Sequence, residues 1–400
     1  QYKKLIIPIA AGIVLIGMIG AGLVGYRYLR HFFAQKPPTL PPTSRPSDDP
    51  STGLATFTDL QAKINAAKNG DRIVLPPGKY TGGADFDGKS NITLEAQTIG
   101  SVVLEGAQVE GGEKITLRGL IVQKVHTPLQ VGAVSTGPDW VMEDRVVQDN
   151  ESVGVSCAGP RSILRRVKSL RNGYMGFGCG TPDGRPFPGP QLFDCESAFN
   201  NTGSDNPSWK LNESAMFRNG KWYINPSWEA GGGKFCCADG LLIERMKSHD
   251  NGGVGIWLDV YDLKATIKDC ESYNNFGVDA NWEGCGFAVE ICAGPTVYEN
   301  CYAHDNTGSS FAIWESRNVT IRNCIASGSG IEFRDIGGDR GRVGWFCRND
   351  LIDSVRFYGP KAKVDYWENQ TTGWRENYNI VEKNLQLGLK GAPEWKESPQ

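Results

Sequence analysis

Six short segments of this chain are variants of one another: ILRRVKSLRN (163–172), LFDCESAFN (192–200), LIERMKSHDN (242–251), TIKDCESYNN (266–275), VYENCYAHDN (297–306) and TIRNCIASGS (320–329). Each reads as a short alternating strand followed by a turn. Val167, Cys195, Met246, Cys270, Cys301 and Cys324 fall in one column of the repeat. Asn172, Asn200, Asn251, Asn275 and Asn306 fall in another, five residues later. Steps run from 23 to 31 residues, except one of about 50 where residues 202–237 are inserted. A unit of this size cannot bury its own apolar face, but stacked on its neighbours it can. The expected fold is therefore all-β, a solenoid of parallel strands. Its columns become ladders at the strand spacing of about 4.8 Å. Cys suits a narrow interior column. Asn tolerates left-handed turn geometry and can bond to the Asn above it. A leucine-rich horseshoe would need L-x-x-L-x-L, which is missing.

Composition supports this reading. Of 400 residues 50 are Gly, and no long amphipathic helix interrupts residues 80–340. A net charge of −3 with 22% charged residues gives no field of either sign that would mark a nucleic-acid binder. The eleven Cys are an odd number, so at least one thiol is unpaired or bridges another chain. No C-x-x-C pair occurs, which argues against zinc and against a dense disulfide framework. No metal or other cofactor is expected.

The N-terminal region is different in kind. Leu5 to Tyr26 is a run of 22 residues without a charge, long enough as a helix to span a hydrocarbon core of about 30 Å. Lys3 and Lys4 flank one end, and Arg27, Tyr28 and Arg30 the other. A cleaved signal peptide would have a shorter apolar core and an A-x-A site. Residues 1–30 are thus expected to be one transmembrane α-helix in contact with membrane lipid. The chain opens on Gln1, so residues are expected upstream. Gly17, Ala21 and Gly25 lie four apart on one helix face, where small residues let a transmembrane helix of another protein approach. Basic residues on both sides leave orientation open. Residues 31–52 form a linker whose prolines, in PPTLPPTSRPSDDP, favour extended polyproline II. The solenoid is expected over 53–360. Leu60, Ile64 and Ala67 share one face of a short capping helix at its start. The tail 361–400 is rich in Trp, Asn and charge, with no coil pattern.

The opening FTDLQAKINAAKNGDRIVLPPGKYTG…SNITLEA resembles the first coil of pectin-lyase-like β-helix proteins, closest to the part seen in chondroitinase B and alginate lyases. EAGGGKF…DGLLIERMKSHDNGGVGIWLDVYD…VEICAG resembles a broad group of bacterial β-helix repeat proteins. The likeness covers roughly residues 55–340 and implies a right-handed parallel β-helix. It implies no single activity, because the fold hosts lyases, hydrolases, epimerases, phage spikes and adhesins.

The candidate face follows the Asn column, where coils continue as GIWLD (255–259), GFAVE (286–290), SFAIW (310–314) and GIEFR (330–334). Alternation sends Ile256, Phe287, Phe311 and Ile331 inward. The outer face then carries Trp257 and Asp259, Ala288 and Glu290, Ala312 and Trp314, Glu332 and Arg334. Lys234 is expected one coil earlier, beside Asp259. Such a face would be an exposed trough over the alanines, with Trp257, Trp314, Glu332 and Trp228 as ligand-binding candidates and Asp259, Glu290, Lys234 and Arg334 as catalytic ones. Trp faces stack on sugar rings. A retaining hydrolase needs two close carboxylates, as Asp259 and Glu290 would be. A uronate lyase needs a base with a cation beside it. Lys234 and Arg334 are expected three coils apart, too far for one bond. The bland alternative is a surface charge ladder. The R-x-P-x-x-R and W-x-D-H runs of pectate lyases are missing, as is the N-T-D…D-D…G-H-G…R-I-K series of polygalacturonases. His249 and His304 read as solvent-facing turn residues, and Asp250 and Asp305 as turn formers rather than calcium ligands. The insertion's Trp209, Trp222, Tyr223 and Trp228 either line the binding face or fold down as a lid.

The expected role is that of a membrane-anchored extracytoplasmic module that binds glycan or protein, as an accessory subunit of a larger membrane complex. The alternative is an anchored polysaccharide lyase or glycoside hydrolase.

Overall fold

The computed structural model describes residues 49–181, 184–205, 215–218, 220–225, 231–261, 263–277, 284–335, 347–368, 379–391 and 393–395. The expected anchor at 5–26, with Gly17, Ala21 and Gly25, lies outside them. Among the described residues no helix is long and apolar enough to cross a membrane.

Strands stack in parallel register into a 23-stranded sheet and an 11-stranded sheet around one apolar interior. A typical coil runs Leu242–Glu244, Lys247–His249, Val254–Asp259. The first two strands form the first and second sides, both in the larger sheet. The third strand forms the third side, in the smaller sheet. The bend between first and second sides is one residue in the left-handed region: Arg166, Asp194, Arg245, Asp269, Asn300 and Asn323 in successive coils. Arg at such a bend is unusual. Arg166 and Arg245 each clasp the Asp one coil below, Asp144 and Asp194, through two nitrogens. Those charge-assisted bonds offset the backbone cost.

The Cys column is interior. Val167, Cys195, Met246, Cys270, Cys301 and Cys324 are all buried within the main apolar cluster. Cys195, Cys270, Cys301 and Cys324 of this column are free thiols. Burial raises the Cys195 thiol to about 12 and Cys270 and Cys301 well above the ordinary range. The Asn column is a continuous buried ladder. Each side-chain Nδ2 donates to the Oδ1 of the next Asn: 3.0 Å from Asn172 to Asn200, 2.9 Å from Asn200 to Asn251, 3.0 Å from Asn251 to Asn275 and 3.0 Å from Asn275 to Asn306. The left-handed turn residue is not the Asn but the residue before it, Arg171, Phe199, Asp250, Asn274 and Asp305. That frees the Asn amide to point inward. In four of these coils the residue three earlier is Ser169, Ser197, Ser248 or Ser272, and it donates to a glycine carbonyl on the third side, as in Ser248 to Gly255 at 2.7 Å. Gly255 is required there: a Cβ would stand 2.1 Å from the Ser272 hydroxyl oxygen.

The helix Leu60–Ala66 buries Leu60 and Ile64 over the first coil. Gln61 fixes it by bonding both the N–H and the carbonyl of Asp85. At the other end the coils continue past residue 360, with strands Val364–Glu368, Ile380–Lys383 and Gln386–Leu389. The pattern is hard to see there because Glu382 takes the register position of core residue Ile352. An inward charge on the last coil also discourages further stacking. Trp395 then folds back, its indole N–H donating to the Asn300 carbonyl at 3.3 Å.

The insertion is shorter than 202–237. Gly231–Cys236 is a third-side strand pairing with Met175–Cys179 and Val254–Asp259. Within the remainder, Ala215–Arg218 and Lys221–Ile224 form an antiparallel hairpin. Asn201 clamps its end, accepting from Ile224 N–H and donating to the carbonyls of Ile224 and Gly252.

Candidate functional site

The third side carries the expected residues on the expected face. Ile256, Leu258, Phe287, Val289, Phe311, Ile313, Ile331 and Phe333 point into the core. Trp257, Ala288 and Ala312 belong with Trp314, Val254 and Cys285 to a second, separate apolar cluster on the outside of the sheet. Register aligns Lys234, Trp257, Ala288, Ala312 and Glu332 in one column, and Asp259, Glu290, Trp314 and Arg334 in the next.

The face is not an exposed trough. Trp257, Trp314, Ala288 and Ala312 are at most 2% exposed, Asp259 6% and Glu290 9%. The alanines leave space, and the two indoles fill it, meeting edge to face with centroids 5.8 Å apart. Lys234 sits diagonally, its ammonium 2.8 Å from Asp259 and 4.1 Å from the centre of the Trp257 ring. Cation–π attraction and the ion pair hold that ammonium together. Asp259 spends its other oxygen on the Val260 N–H at 2.8 Å.

At the far end Glu332 accepts from Trp314 Nε1 at 3.1 Å and Ser309 Oγ at 3.2 Å, and forms an ion pair with the Arg334 guanidinium, whose Nε lies 3.0 Å away. Glu290 stands in register between Asp259 and Trp314. Lys234 and Arg334 are four register steps apart rather than three, about 19 Å at the strand spacing. They cannot act on one bond. Among the described residues the buried Trp257 indole N–H has no hydrogen-bond partner. Trp228 and Trp209 lie outside the described residues. Tyr223 and Ile224 of the inserted hairpin are 1% exposed, and Ile224 packs on Val153, Tyr174 and Met175 of earlier coils. The described part of the insertion thus folds down onto the third side.

A second constellation was not anticipated. His249 and His304 are strand-end residues on the second side, not loose turn residues. They sandwich Tyr273, with ring centroids at 4.6 and 4.9 Å and planes within 7°. His249 contacts Glu196 at 3.4 Å and Asp250 at 2.7 Å. His304 contacts Glu271 at 3.2 Å and Asp305 at 2.7 Å. Burial opposes the charge on His249, but Asp250 and Glu196 outweigh it and raise the imidazole to about 9. His304 is raised by Glu271 and Asp305 against the same burial cost. The shared position of His, Tyr and His in SHD, SYN and AHD was the available signal. Stacked along the axis, these rings present edges outward, not the faces a sugar would need. Among the described residues no group of three His, Cys, Asp or Glu is placed to hold a metal ion.

The first side is a charge ladder. Its outer column alternates acid and base from Glu95 through Arg118, Glu143 and Arg165, then from Glu244 through Lys268, Glu299, Arg322 and Asp353 to Lys383. Phe193 alone interrupts, under the Arg165 guanidinium. Neighbours neutralise one another, so this side offers a polyanion no cationic groove.

The family model described as "Right handed beta helix region" matches residues 192–326. A comparison with curated proteins finds no match. The A-modules of two Azotobacter vinelandii mannuronan C-5 epimerases are similar in structure. They show 14% and 13% identity and TM-scores of 0.51 and 0.53, each covering 86% of this chain and 98% of the module. A PL6 family alginate lyase is similar at 13% identity and a TM-score of 0.53, over 84% of this chain and 53% of that one. At such identities the likeness concerns fold alone. With the stacked coils and ladders above, it shows that this chain folds as a right-handed parallel β-helix.

Proposed function

We propose that this chain is a membrane-anchored, extracytoplasmic β-helix that binds or docks rather than cleaves, as an accessory subunit of a larger membrane complex. The observation that carries the reading is the closed Lys234–Asp259 pair. A retaining hydrolase needs a free carboxylate nucleophile with room for a sugar ring beside it. Asp259 is instead buried and held by an ammonium and a backbone N–H. A uronate lyase needs cations next to its base, and Lys234 and Arg334 stand at opposite ends of the face. The apolar run Leu5–Tyr26 supports anchoring in lipid, and Gly17, Ala21 and Gly25 support contact with another protein's transmembrane helix. A glycan or protein surface is the expected ligand of the folded part.

The test has two arms. The chain is incubated with alginate, polygalacturonate, chondroitin and neutral glycans, and unsaturated products and reducing ends are measured. No product is expected. Separately, Gly17, Ala21 and Gly25 are all replaced by Leu and the protein is recovered from its native membrane in mild detergent. Insertion should persist while a co-purifying partner is lost, and unchanged association would count against the docking role.

The enzymatic reading keeps one observation in its favour: Asp259 and Glu290 are direct register partners. Similar structures carry the names of an epimerase and an alginate lyase. Product formed by the wild type and lost in Asp259→Asn and Glu290→Gln would replace the binding role with this one.

A further inference from the structure

Arg145 occupies a place built for apolar side chains. Register puts it in the interior column, directly below Val167 and one position before the Val146–Ile121 pairing. Higher coils fill that column with Cys195, Met246 and Cys270. Arg145 is 1% exposed, and among the described residues none of its three guanidinium nitrogens has a hydrogen-bond partner. In the same coil Ser152 is fully buried and its hydroxyl is also unpartnered. Burial lowers the guanidinium only to about 9, so it stays charged at neutral pH.

A lone cation in an apolar interior is not tolerated unless something balances it. Water can accept its hydrogen bonds but cannot offset its charge. The unpartnered guanidinium nitrogens are N–H donors on a cation, so the missing species is an acceptor with negative charge. It must also be small, because the Arg145 side chain is almost wholly buried beneath Val167 of the next coil. We propose that the solenoid binds a small inorganic anion of the halide class inside the coil that carries Arg145. The anion enters as the coils close, making it part of the folded interior rather than a ligand of the surface.

Equilibrium urea unfolding of the full chain tests this, with bromide replacing gluconate at constant ionic strength. Binding to the folded state alone lowers the unfolding constant tenfold for each tenfold rise of bromide above its dissociation constant. That slope is expected in the wild type and absent in Arg145→Met, whose side chain matches Met246 in the same column. Equal slopes in both proteins, or no slope in the wild type, would overturn the proposal. Crystals grown in bromide give a measurement that does not depend on the variant folding. An anomalous peak within hydrogen-bond distance of the Arg145 guanidinium is expected, and a water or nothing at that place is the contrary result.

Discussion

Trp257 and Trp314 stand two coils apart and still touch, their rings edge to face at 5.8 Å and 86°. They meet because Ala288 and Ala312 lie beneath them and contribute no bulk. Small residues in a solenoid column thus make room for a large side chain from another coil. Ala288→Phe should overfill that room and destabilise the fold by about 1–3 kcal/mol. Urea midpoints of the two proteins would show it. An unchanged midpoint would mean that the indoles can swing away at no cost.

The Lys234–Asp259 pair invites a double-mutant cycle. Side-chain exposures of 11% and 8% leave little water to screen it. Lys234→Met strands a carboxylate, which should cost about 3–5 kcal/mol. Adding Asp259→Leu removes the stranded charge and should recover most of that loss. Additive costs in the double variant would show that the two groups act independently.

Thiol chemistry tests the register of the core. Cys195, Cys270, Cys301 and Cys324 are buried, burial raises the first three thiols, and Cys324 Sγ accepts from the Cys301 N–H at 3.4 Å. Labelling with a thiol reagent at pH 8 should be slow and should accelerate on adding denaturant. Fast labelling of these four in the native protein would contradict the assigned faces.

What could be read beforehand follows from period. The Cys and Asn columns were legible because a stacked repeat imposes the same environment on the same position, and Val167 and Met246 showed that environment to be apolar. The inward and outward faces of 255–259 and its equivalents were legible because strand side chains alternate. Alternation says which way Asp259 and Trp314 point and nothing about what lies over them, so an open trough was expected where the indoles close the face. Arg145 was invisible for the opposite reason: in DRVVQD it reads as one more surface charge. Gly231–Cys236 was absorbed into the insertion because Gly-rich strands lack an apolar signal. The last coil was missed because Glu382 stands where Ile352 set the pattern.

The His249–Tyr273–His304 stack should make stability fall as the solution becomes alkaline. His249 titrates near 9 in the folded chain against 6.5 for a free imidazole, because Asp250 and Glu196 outweigh its burial. Its partner Glu196 is correspondingly held down to about 2, with the His249 bond the largest cause. A raised folded value means that the imidazolium stabilises fully below about pH 6.5 and that this contribution disappears as pH rises through 9. At 1.36 kcal/mol per unit the ceiling is about 3 kcal/mol, and screening at the partly open edge reduces it. Tyr273 and Tyr302 are raised to about 12 by burial and titrate above this window. Buried thiols also add their own alkaline loss, so the comparison must be a difference. The urea stability of the wild type minus that of His249→Gln should be largest at pH 6 and shrink towards zero by pH 10. A difference that stays constant over that range would mean that His249 contributes through stacking on Tyr273 and not through its charge.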